Sequence, residues 1–229
     1  MAVNWWEGPL LAIDTETSGV DYRTDRLVTV ALVEADATNR TSTTEHWVLD
    51  CGVEIPDEAA QIHGYTTERV RAEGVKPETV IDAIAGQMRA HMDKGLPVVA
   101  YNASFDFSFL NAELGRLDLP PLTPYPVVDP FVVDKHVDKY RRGRRTLTAS
   151  ADHYKVALDG AHDAAADAIT AARLAWRIGQ LPPVCDMTLD ELHTAQIGWA
   201  KEQADSLRAY FESKGTDASD VDGTWPVRA

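Results

Sequence analysis

The 229-residue sequence contains few cysteines and fewer basic than acidic residues. Its two cysteines, Cys51 and Cys185, are far apart and match no zinc-ligand spacing. No disulfide framework is expected, which favours a reducing cytoplasm. Lysine and arginine together number 22, against 36 aspartates and glutamates, for a net charge of −14. This balance argues against a protein that coats duplex nucleic acid through a broad basic surface, but it is compatible with nucleic acid held at a local metal-loaded site.

Long hydrophobic runs are also missing. No run approaches the length of a membrane-spanning helix, and the first residues, MAVNWWEGPLLAID, lack the basic start and long apolar centre of a signal peptide. We therefore expect a soluble, cytoplasmic protein with no membrane partner. Because 45% of the residues are hydrophobic, the chain can form one sizeable core and an appended smaller element.

The stretch from Leu10 to Asp21, LLAIDTETSGVD, carries the first functional signal. Four apolar residues predict a buried strand that ends in Asp14-Thr15-Glu16. Alternate side chains share one face of an extended chain, so Asp14 and Glu16 point one way and Thr15 the other. Two neighbouring carboxylates repel each other unless a cation lies between them. The alternative is a solvated pair at a strand end, and only further carboxylates in the chain would favour a metal site.

The rest of the pattern predicts an α/β domain with a mixed sheet. Strands at 26–35 and 41–49 follow the opening strand and are expected to form an antiparallel meander with it. Two later apolar strands, at 98–101 and 127–129, alternate with helical segments. Strands first, and then helices alternating with single strands, are typical of a mixed sheet.

Pro182-Pro183 predicts a boundary between a domain at 8–181 and a C-terminal extension at 182–229. The extension is expected to form one long amphipathic helix over 188–214, followed by a loose polar tail from residue 215 onward. The sequence leaves three roles open for this helix: packing on the domain, pairing with a second copy of the chain, or docking a polymerase.

Two segments supply further acidic residues. Asp106 follows the strand at 98–101 and lies in the first turn of a helix that Ser104 can cap; a helix N-terminus also favours an acid electrostatically. His162 and Asp167 are five positions apart, which on a continuous helix at about 100° per residue places them on different sides. They converge only if His162 lies on the loop before the helix. The alternative for His162 is a capping or core histidine.

Together these segments resemble the DnaQ-like, DEDDh class of 3′–5′ exonucleases, the family of the proofreading epsilon subunit of bacterial DNA polymerase III. The matching segments are Ile13 to Gly19, Val99 to Leu110, Ile62 to Thr66, and His162 to Ala168. The resemblance covers about residues 10–178. Tyr101 stands where the family frequently has a histidine, and Tyr65 where it has a small aliphatic residue. Neither departure removes a catalytic group.

The resemblance implies an RNase H-like fold, a mixed five-stranded sheet flanked by helices. It also implies that Asp14, Glu16, Asp106 and Asp167 bind two divalent ions, Mg²⁺ or Mn²⁺, which carboxylate oxygens suit. Asp14 would bridge both ions, Glu16 and Asp167 would complete the site of the ion that carries the attacking water, and Asp106 would support the second ion. His162 is the expected general base, because an unperturbed pKa of about 6.5 leaves it neutral near pH 7.

By the same resemblance, Thr17, His63, Asn102 and Phe105 bind the 3′ end of the substrate. The Phe105 ring can stack on a terminal base, and core packing is its alternative role. The expected reaction releases nucleoside monophosphates from the 3′ end of single-stranded or frayed DNA. An exoribonuclease that acts on short RNA and a non-catalytic, polymerase-associated end-binding module are the alternative functions.

A basic segment, KYRRGRR at 139–145, stands out in this acidic chain. It follows the predicted helix that begins after the strand at 127–129. The sequence leaves two roles open for this segment: contact with phosphates upstream of the cleaved end, or a solvated loop.

Overall fold

The structure is a computed structural model that describes residues 4–158 and 163–228. Its strands are β1 (Pro9–Thr17), β2 (Leu27–Asp36), β3 (Thr41–Val48), β4 (Val98–Val99) and β5 (Val127–Val128). They form one mixed sheet in the order β3-β2-β1-β4-β5. The first three strands pair antiparallel, whereas β4 runs parallel to both β1 and β5. The predicted α/β class, the five-stranded mixed sheet and the antiparallel meander are confirmed.

The helices of the described residues flank this sheet. They are α1 (Asp57–His63), α2 (Thr67–Glu73), α3 (Ile81–Met92), α4 (Ala103–Arg116), α5 (Pro130–Val137), α6 (Leu147–Tyr154), α7 (Ala164–Gly179) and α8 (Leu189–Ser213). Short 3₁₀ turns occur at Trp5–Glu7, Pro77–Thr79 and Val184–Asp186. Within this part of the chain, no helix combines the length and the apolar composition that crossing a membrane requires.

The central strand β1 contributes to two hydrophobic cores, because its alternate side chains point to opposite faces of the sheet. Leu11 and Ile13 belong to the core that also contains buried residues of α3 and α4. Leu10 and Ala12 belong to the other core, which contains α7. On α7 that core consists largely of alanines, namely Ala168, Ala171, Ala172 and Ala175. Their small side chains let α7 lie close to the sheet, which brings the first turn of α7 near the end of β1.

The long helix α8 covers the edge strand β5. His193 Nδ1 accepts a hydrogen bond from the Val127 backbone N–H at 3.0 Å, and Gln196 Nε2 donates to the Val127 carbonyl at 2.9 Å. Gln196 Oε1 also accepts from the Asp129 N–H at 2.7 Å. These side chains satisfy backbone groups that an uncovered sheet edge leaves unpaired. Of the three alternative roles for this helix, packing on the domain is therefore observed, and pairing with a second copy or a polymerase stays a prediction.

The prediction of a loose tail is wrong for the last described residues. Trp225 is only 6% exposed and belongs to the same core as α3 and α4. Its Nε1 donates to Asp129 Oδ2 at 3.1 Å, and the Arg228 backbone N–H donates to Ser108 Oγ at 2.9 Å. A single buried indole fixes this segment, although the polar residues before it predict a solvated one. The boundary between residues 181 and 182 stays a prediction.

Candidate active site

Three acidic side chains meet where β1 ends. Asp14 and Glu16 belong to the last part of β1 and alternate with Thr15, as the strand pattern predicts. Each offers a carboxylate oxygen that lies within 4.8 Å of the other and of an oxygen from Asp167. The strand provides two of the acids, and a helix that is distant in the sequence provides the third.

Asp167 reaches this site because of how α7 begins. Asp163 is the N-cap residue, and its Oδ1 accepts a hydrogen bond from the Ala166 N–H at 3.1 Å. The helix therefore starts at Ala164, and Asp167 lies in its first turn. An acid in a first helical turn also interacts favourably with the helix dipole.

Asp106 approaches the same strand end from α4. Its Oδ1 accepts a hydrogen bond from the Thr15 hydroxyl at 2.8 Å, and its side chain is 3% exposed. It is not one of the three acids that lie within 4.8 Å of one another. Its negative charge nevertheless acts on Asp14: after burial, it is the largest contribution that raises the pKa of Asp14. The structure thus brings three of the predicted acids together and places the fourth beside them.

Burial and mutual repulsion make these carboxyl groups hard to ionise. Burial, followed by the charges of Asp106, Asp167 and Glu16, raises the pKa of Asp14 well above its usual range. Burial, followed by the charges of Asp167, Asp106 and Asp163, raises the pKa of Glu16 to about 8. Burial also raises the pKa of Asp106 to about 7, although the hydrogen bond from Thr15 opposes that shift. Without a cation, the folded protein disfavours the charged forms of these groups.

A divalent cation fits this set of donors. Asp14 and Glu16 form no ion pair with any lysine or arginine in residues 4–158 and 163–228, so their charges are not neutralised by a basic side chain of the described chain. Carboxylate oxygens are the ligands that hard ions such as Mg²⁺ and Mn²⁺ prefer. The cluster is therefore a candidate metal centre.

Two of the expected substrate-binding residues are the last residues of their elements, Thr17 of β1 and His63 of α1. The Thr17 hydroxyl donates to the Gly19 carbonyl, which fixes the turn after β1. His63 ends α1, is 7% exposed, and accepts a hydrogen bond at Nδ1 from the Tyr65 N–H at 3.1 Å. Burial lowers the pKa of His63, so its imidazole is neutral near pH 7. His162, the expected general base, lies outside the described residues.

Asn102 and Phe105 lie at the start of α4. Asn102 takes a left-handed backbone conformation with φ of 71°, which asparagine tolerates better than most residues. Phe105 is half-buried, with its ring centroid 4.8 Å from that of Phe109, and its other side lines a cavity of about 760 Å³. Phe105 therefore packs in part against the core and in part lines the cavity, and its stacking on a terminal base stays a prediction.

Asp129 is a structural residue of the site that the sequence did not indicate. It is fully buried after β5, and its carboxylate accepts from the backbone N–H groups of Asn102 and Ala103, each at 2.9 Å. The expected cap residue of α4, Ser104, is instead inside the helix, which begins at Ala103. A carboxylate from another element replaces a local cap and fixes the turn that carries Phe105 and Asp106.

The basic segment at 139–145 has a role that neither alternative anticipated. Arg141 and Arg145 both bond to Oδ2 of the fully buried Asp134, at 2.5 and 2.7 Å. The Tyr154 hydroxyl donates to the other oxygen, Oδ1, at 2.7 Å. Two of the cations therefore neutralise an internal charge. Its other basic residues, Lys139, Arg142 and Arg144, are exposed.

The fold and the acidic site are those expected of an exonuclease, and sequence comparison places the chain in an exonuclease family. The model of the exonuclease family RNase_T matches residues 11–175, which is most of the chain. The protein therefore belongs to this exonuclease family, and the predicted membership of the DnaQ-like exonucleases is confirmed. The match ends within α7, so α8 and the segment that contains Trp225 lie beyond it.

Particular relatives are large polymerases and nucleases. Over 172 residues the chain is 29% identical to the PolC-type DNA polymerase III of Streptococcus pyogenes serotype M5, a match that covers 73% of this chain and 11% of the polymerase. E. coli exonuclease I in complex with a dT13 oligonucleotide superimposes with a TM-score of 0.63 at 19% identity, over 78% of this chain and 42% of the nuclease.

A smaller structural relative matches this chain over almost the whole of its own length. Exonuclease X in complex with 5′ overhanging duplex DNA has a TM-score of 0.59 at 21% identity and matches 82% of this chain and 99% of its own. These structural similarities show the shared fold. The chain spans about a tenth of the PolC-type polymerases and under half of exonuclease I.

Proposed function

We propose that this protein is a 3′–5′ exonuclease that removes nucleotides from the 3′ ends of DNA with the aid of divalent metal ions. The observation that carries the proposal is the convergence of Asp14, Glu16 and Asp167 within 4.8 Å of one another. Family membership supports hydrolysis of phosphodiesters. Relatives that are DNA polymerases or that were solved with DNA oligonucleotides favour DNA over RNA as the substrate.

The four acids have distinct roles in this proposal. Asp14 would be shared by two Mg²⁺ or Mn²⁺ ions, Glu16 and Asp167 would hold the ion on the water side, and Asp106 would support the other. Bound there, such a pair of ions would supply activation of the water and stabilisation of the leaving 3′ oxygen. Thr15 orients the Asp106 carboxylate through its 2.8 Å hydrogen bond, so that a side chain on the opposite face of β1 also contributes to the site.

His162 is the proposed general base that takes the proton from the attacking water. Because Asp163 caps α7, His162 precedes the helix in the sequence rather than continuing it. That position avoids the divergence of about 140° that five helical positions impose on His162 and Asp167. A neutral imidazole near pH 7 can accept the proton directly.

Thr17, His63, Asn102 and Phe105 are proposed to bind the terminal nucleotide. Burial lowers the pKa of His63, which favours a neutral imidazole that can both donate and accept hydrogen bonds. The half-buried Phe105 ring offers a sequence-tolerant stacking face. The 3′ end would then lie between the turn after β1 and the start of α4, next to the acidic cluster.

The test uses 5′-labelled single-stranded DNA and RNA of the same sequence, with Mg²⁺, Mn²⁺ or EDTA. We expect DNA to be shortened stepwise from its 3′ end, with the activity lost in EDTA and in Asp14→Ala. Asp93→Ala is the matched control, because Asp93 is exposed at the end of α3 that precedes β4, away from the carboxyl end of β1. If neither polymer is shortened with either metal, the proposed function is wrong, whereas faster shortening of RNA than of DNA would reassign the substrate.

A second experiment tests the general base. His162→Ala should bind Mn²⁺ as the parent does and lose turnover near pH 7 by about 10²–10⁴-fold, the usual contribution of general base catalysis. Turnover at the parent rate in the variant would assign the proton transfer to another group.

A further inference from the structure

The C-terminal segment lies beyond the family match, yet it borders the cavity that Phe105 lines. The cavity of about 760 Å³ is formed on one side by Phe105 and by the turn after β1, at 20–23. Residues 219–222 and Arg228 form another part of its lining. Arg228 also lines a smaller neighbouring cavity of about 250 Å³, together with Asn102 and Ser104. Arg228 is therefore common to the two cavities that flank the start of α4.

Two anchors hold this segment in place. Trp225 is buried in the core and donates to Asp129, the residue that caps α4. The backbone N–H of Arg228 donates to the hydroxyl of Ser108 at 2.9 Å. Ser108 lies one helical turn after Phe105 on α4. The backbone of Arg228 is thus fixed against the helix that carries Phe105 and Asp106.

The Arg228 side chain differs from the other partly buried arginines. Arg26 forms an ion pair with Glu113, and both Arg141 and Arg145 form ion pairs with Asp134. Arg228 forms no ion pair with any residue in the described ranges, and its buried Nε has no hydrogen-bond partner there. A buried donor without a partner is unfavourable, so a ligand that satisfies it binds more tightly.

We propose that Arg228 binds a backbone phosphate of the nucleic-acid strand, upstream of the bond that is cut. This inference rests on the proposed exonuclease function. The guanidinium group presents a fork of N–H donors that matches two phosphate oxygens. Asp220 and Asp222 line the same two cavities, and their negative charges repel a polyanion. A fixed cation at this position offsets that repulsion where the strand passes.

The test compares Arg228→Ala, Arg228→Lys and Arg177→Ala with the parent protein. Arg177 is a matched control, because it is exposed near the end of α7. That end of α7 lies next to Trp5 and Trp6, which precede β1 and are therefore far from its carboxyl end. The measurement is kcat/KM on a single-stranded oligonucleotide over a range of NaCl concentrations. Removing one phosphate contact should make the slope of log kcat/KM against log salt shallower by about 0.7.

For Arg228→Ala we expect kcat/KM to fall on the order of tenfold at low salt, mostly through KM. Arg228→Lys should keep the parent's salt slope and recover part of the affinity, since it retains the charge but not the fork. The loss should be smaller on a nitrophenyl ester of a nucleoside 5′-phosphate, which has no upstream phosphate. A merely structural role would lower activity on both substrates equally and leave the salt slope unchanged.

The outcomes separate this inference from the proposed function. If the parent cleaves DNA and Arg228→Ala has the same KM and salt slope, the inference is overturned and the exonuclease assignment stands. If the parent cleaves nothing, fluorescence anisotropy with the intact oligonucleotide in Mg²⁺ measures binding directly. Weaker, less salt-dependent binding by Arg228→Ala would then support the phosphate contact, and equal binding, or no binding by the parent, would overturn it.

Discussion

Two groups of acids in this protein differ in the side chains that face them. Glu113 and Asp134 are fully buried, and each is paired with two arginines of the chain. Asp14 and Glu16 are half-buried and face other carboxylates instead. Burial, followed by that repulsion, raises the pKa of each of these two side chains. The fold thus provides cations for its structural acids within the chain, whereas Asp14 and Glu16 have no such partner among the described residues, and an external cation would supply one.

The largest loss of stability is expected when the two arginines that pair with Asp134 lose its negative charge. Asp134→Asn leaves Arg141 and Arg145, whose side chains are 10% and 13% exposed, without the charge that both contact. We expect the free energy of unfolding to fall by about 3–5 kcal/mol, the usual cost of breaking a buried ion pair. Denaturant unfolding measures it. Asp138→Asn is the control, because that carboxylate is 40% exposed and 3.7 Å from Arg141, so its loss should cost about 1 kcal/mol or less.

Asp14→Asn should have the opposite effect on the metal-free protein. Removing one of several repelling charges should raise the unfolding midpoint in EDTA, while turnover with Mg²⁺ falls by at least about 100-fold, the upper range for residues that only support a metal ligand. Thermal unfolding and nuclease assays on one preparation test both. A variant that is less stable than the parent in EDTA would show that the Asp14 charge is already compensated.

The pH dependence of the metal-free protein sharpens the same contrast. The pKa of Glu16 is raised to about 8 and that of Asp106 to about 7, so each carboxyl holds its proton more tightly in the folded than in the unfolded state. Their contribution to stability is full below about pH 4 and is lost as the pH rises toward 8. In EDTA, the midpoint temperature of thermal unfolding should decrease as the pH is raised from about 5 to about 8. The decrease should be less steep in Glu16→Gln, and added Mn²⁺ should restore the midpoint. Identical slopes in parent and variant would contradict this.

The smallest effect is expected at Trp225. Trp225→Phe keeps an aromatic ring in the core and removes the N–H that bonds to Asp129. Hydrogen bonds to charged groups contribute about 1.5–3 kcal/mol, so the free energy of unfolding should fall by about that amount. Trp199→Phe is the control, since Trp199 is partly buried and stacks on His136. An equal loss in both variants would mean that ring size, not the bond to Asp129, determines the effect.

Much of the site could be predicted because its signals are local. The alternation of Asp14, Thr15 and Glu16 follows from the two-residue period of a strand, and the observed face of each carboxylate agrees with it. The cap at Asp163 follows from the preference of short polar side chains for the residue before a helix. Each of these inferences needs only a few neighbouring residues.

Other parts of the site depend on partners that are distant in the chain. Ser104 has the right residue type to cap α4, but the Asp129 carboxylate, which lies 26 and 27 positions away from the two amides it accepts, takes that role. The basic pattern at 139–145 favours a surface function, because nothing near it in the sequence shows that Arg141 and Arg145 face a buried Asp134. A long-range partner leaves no periodic or spacing signal in a single sequence.

The sequence by itself determined the α/β class, the succession of the strands along the chain and, through its resemblance to the exonuclease family, the set of acids from which the site is built, because strand period, helix capping and motif spacing are properties of short segments. Only the tertiary structure decided how side chains of α8 pair with the backbone of the edge strand β5. The same holds for the hydrogen bonds from Trp225 to Asp129, 96 positions away, and from Arg228 to Ser108 of α4, 120 positions away. Those contacts arise when separate elements share one core, and burial then selects among partners that the local sequence cannot distinguish.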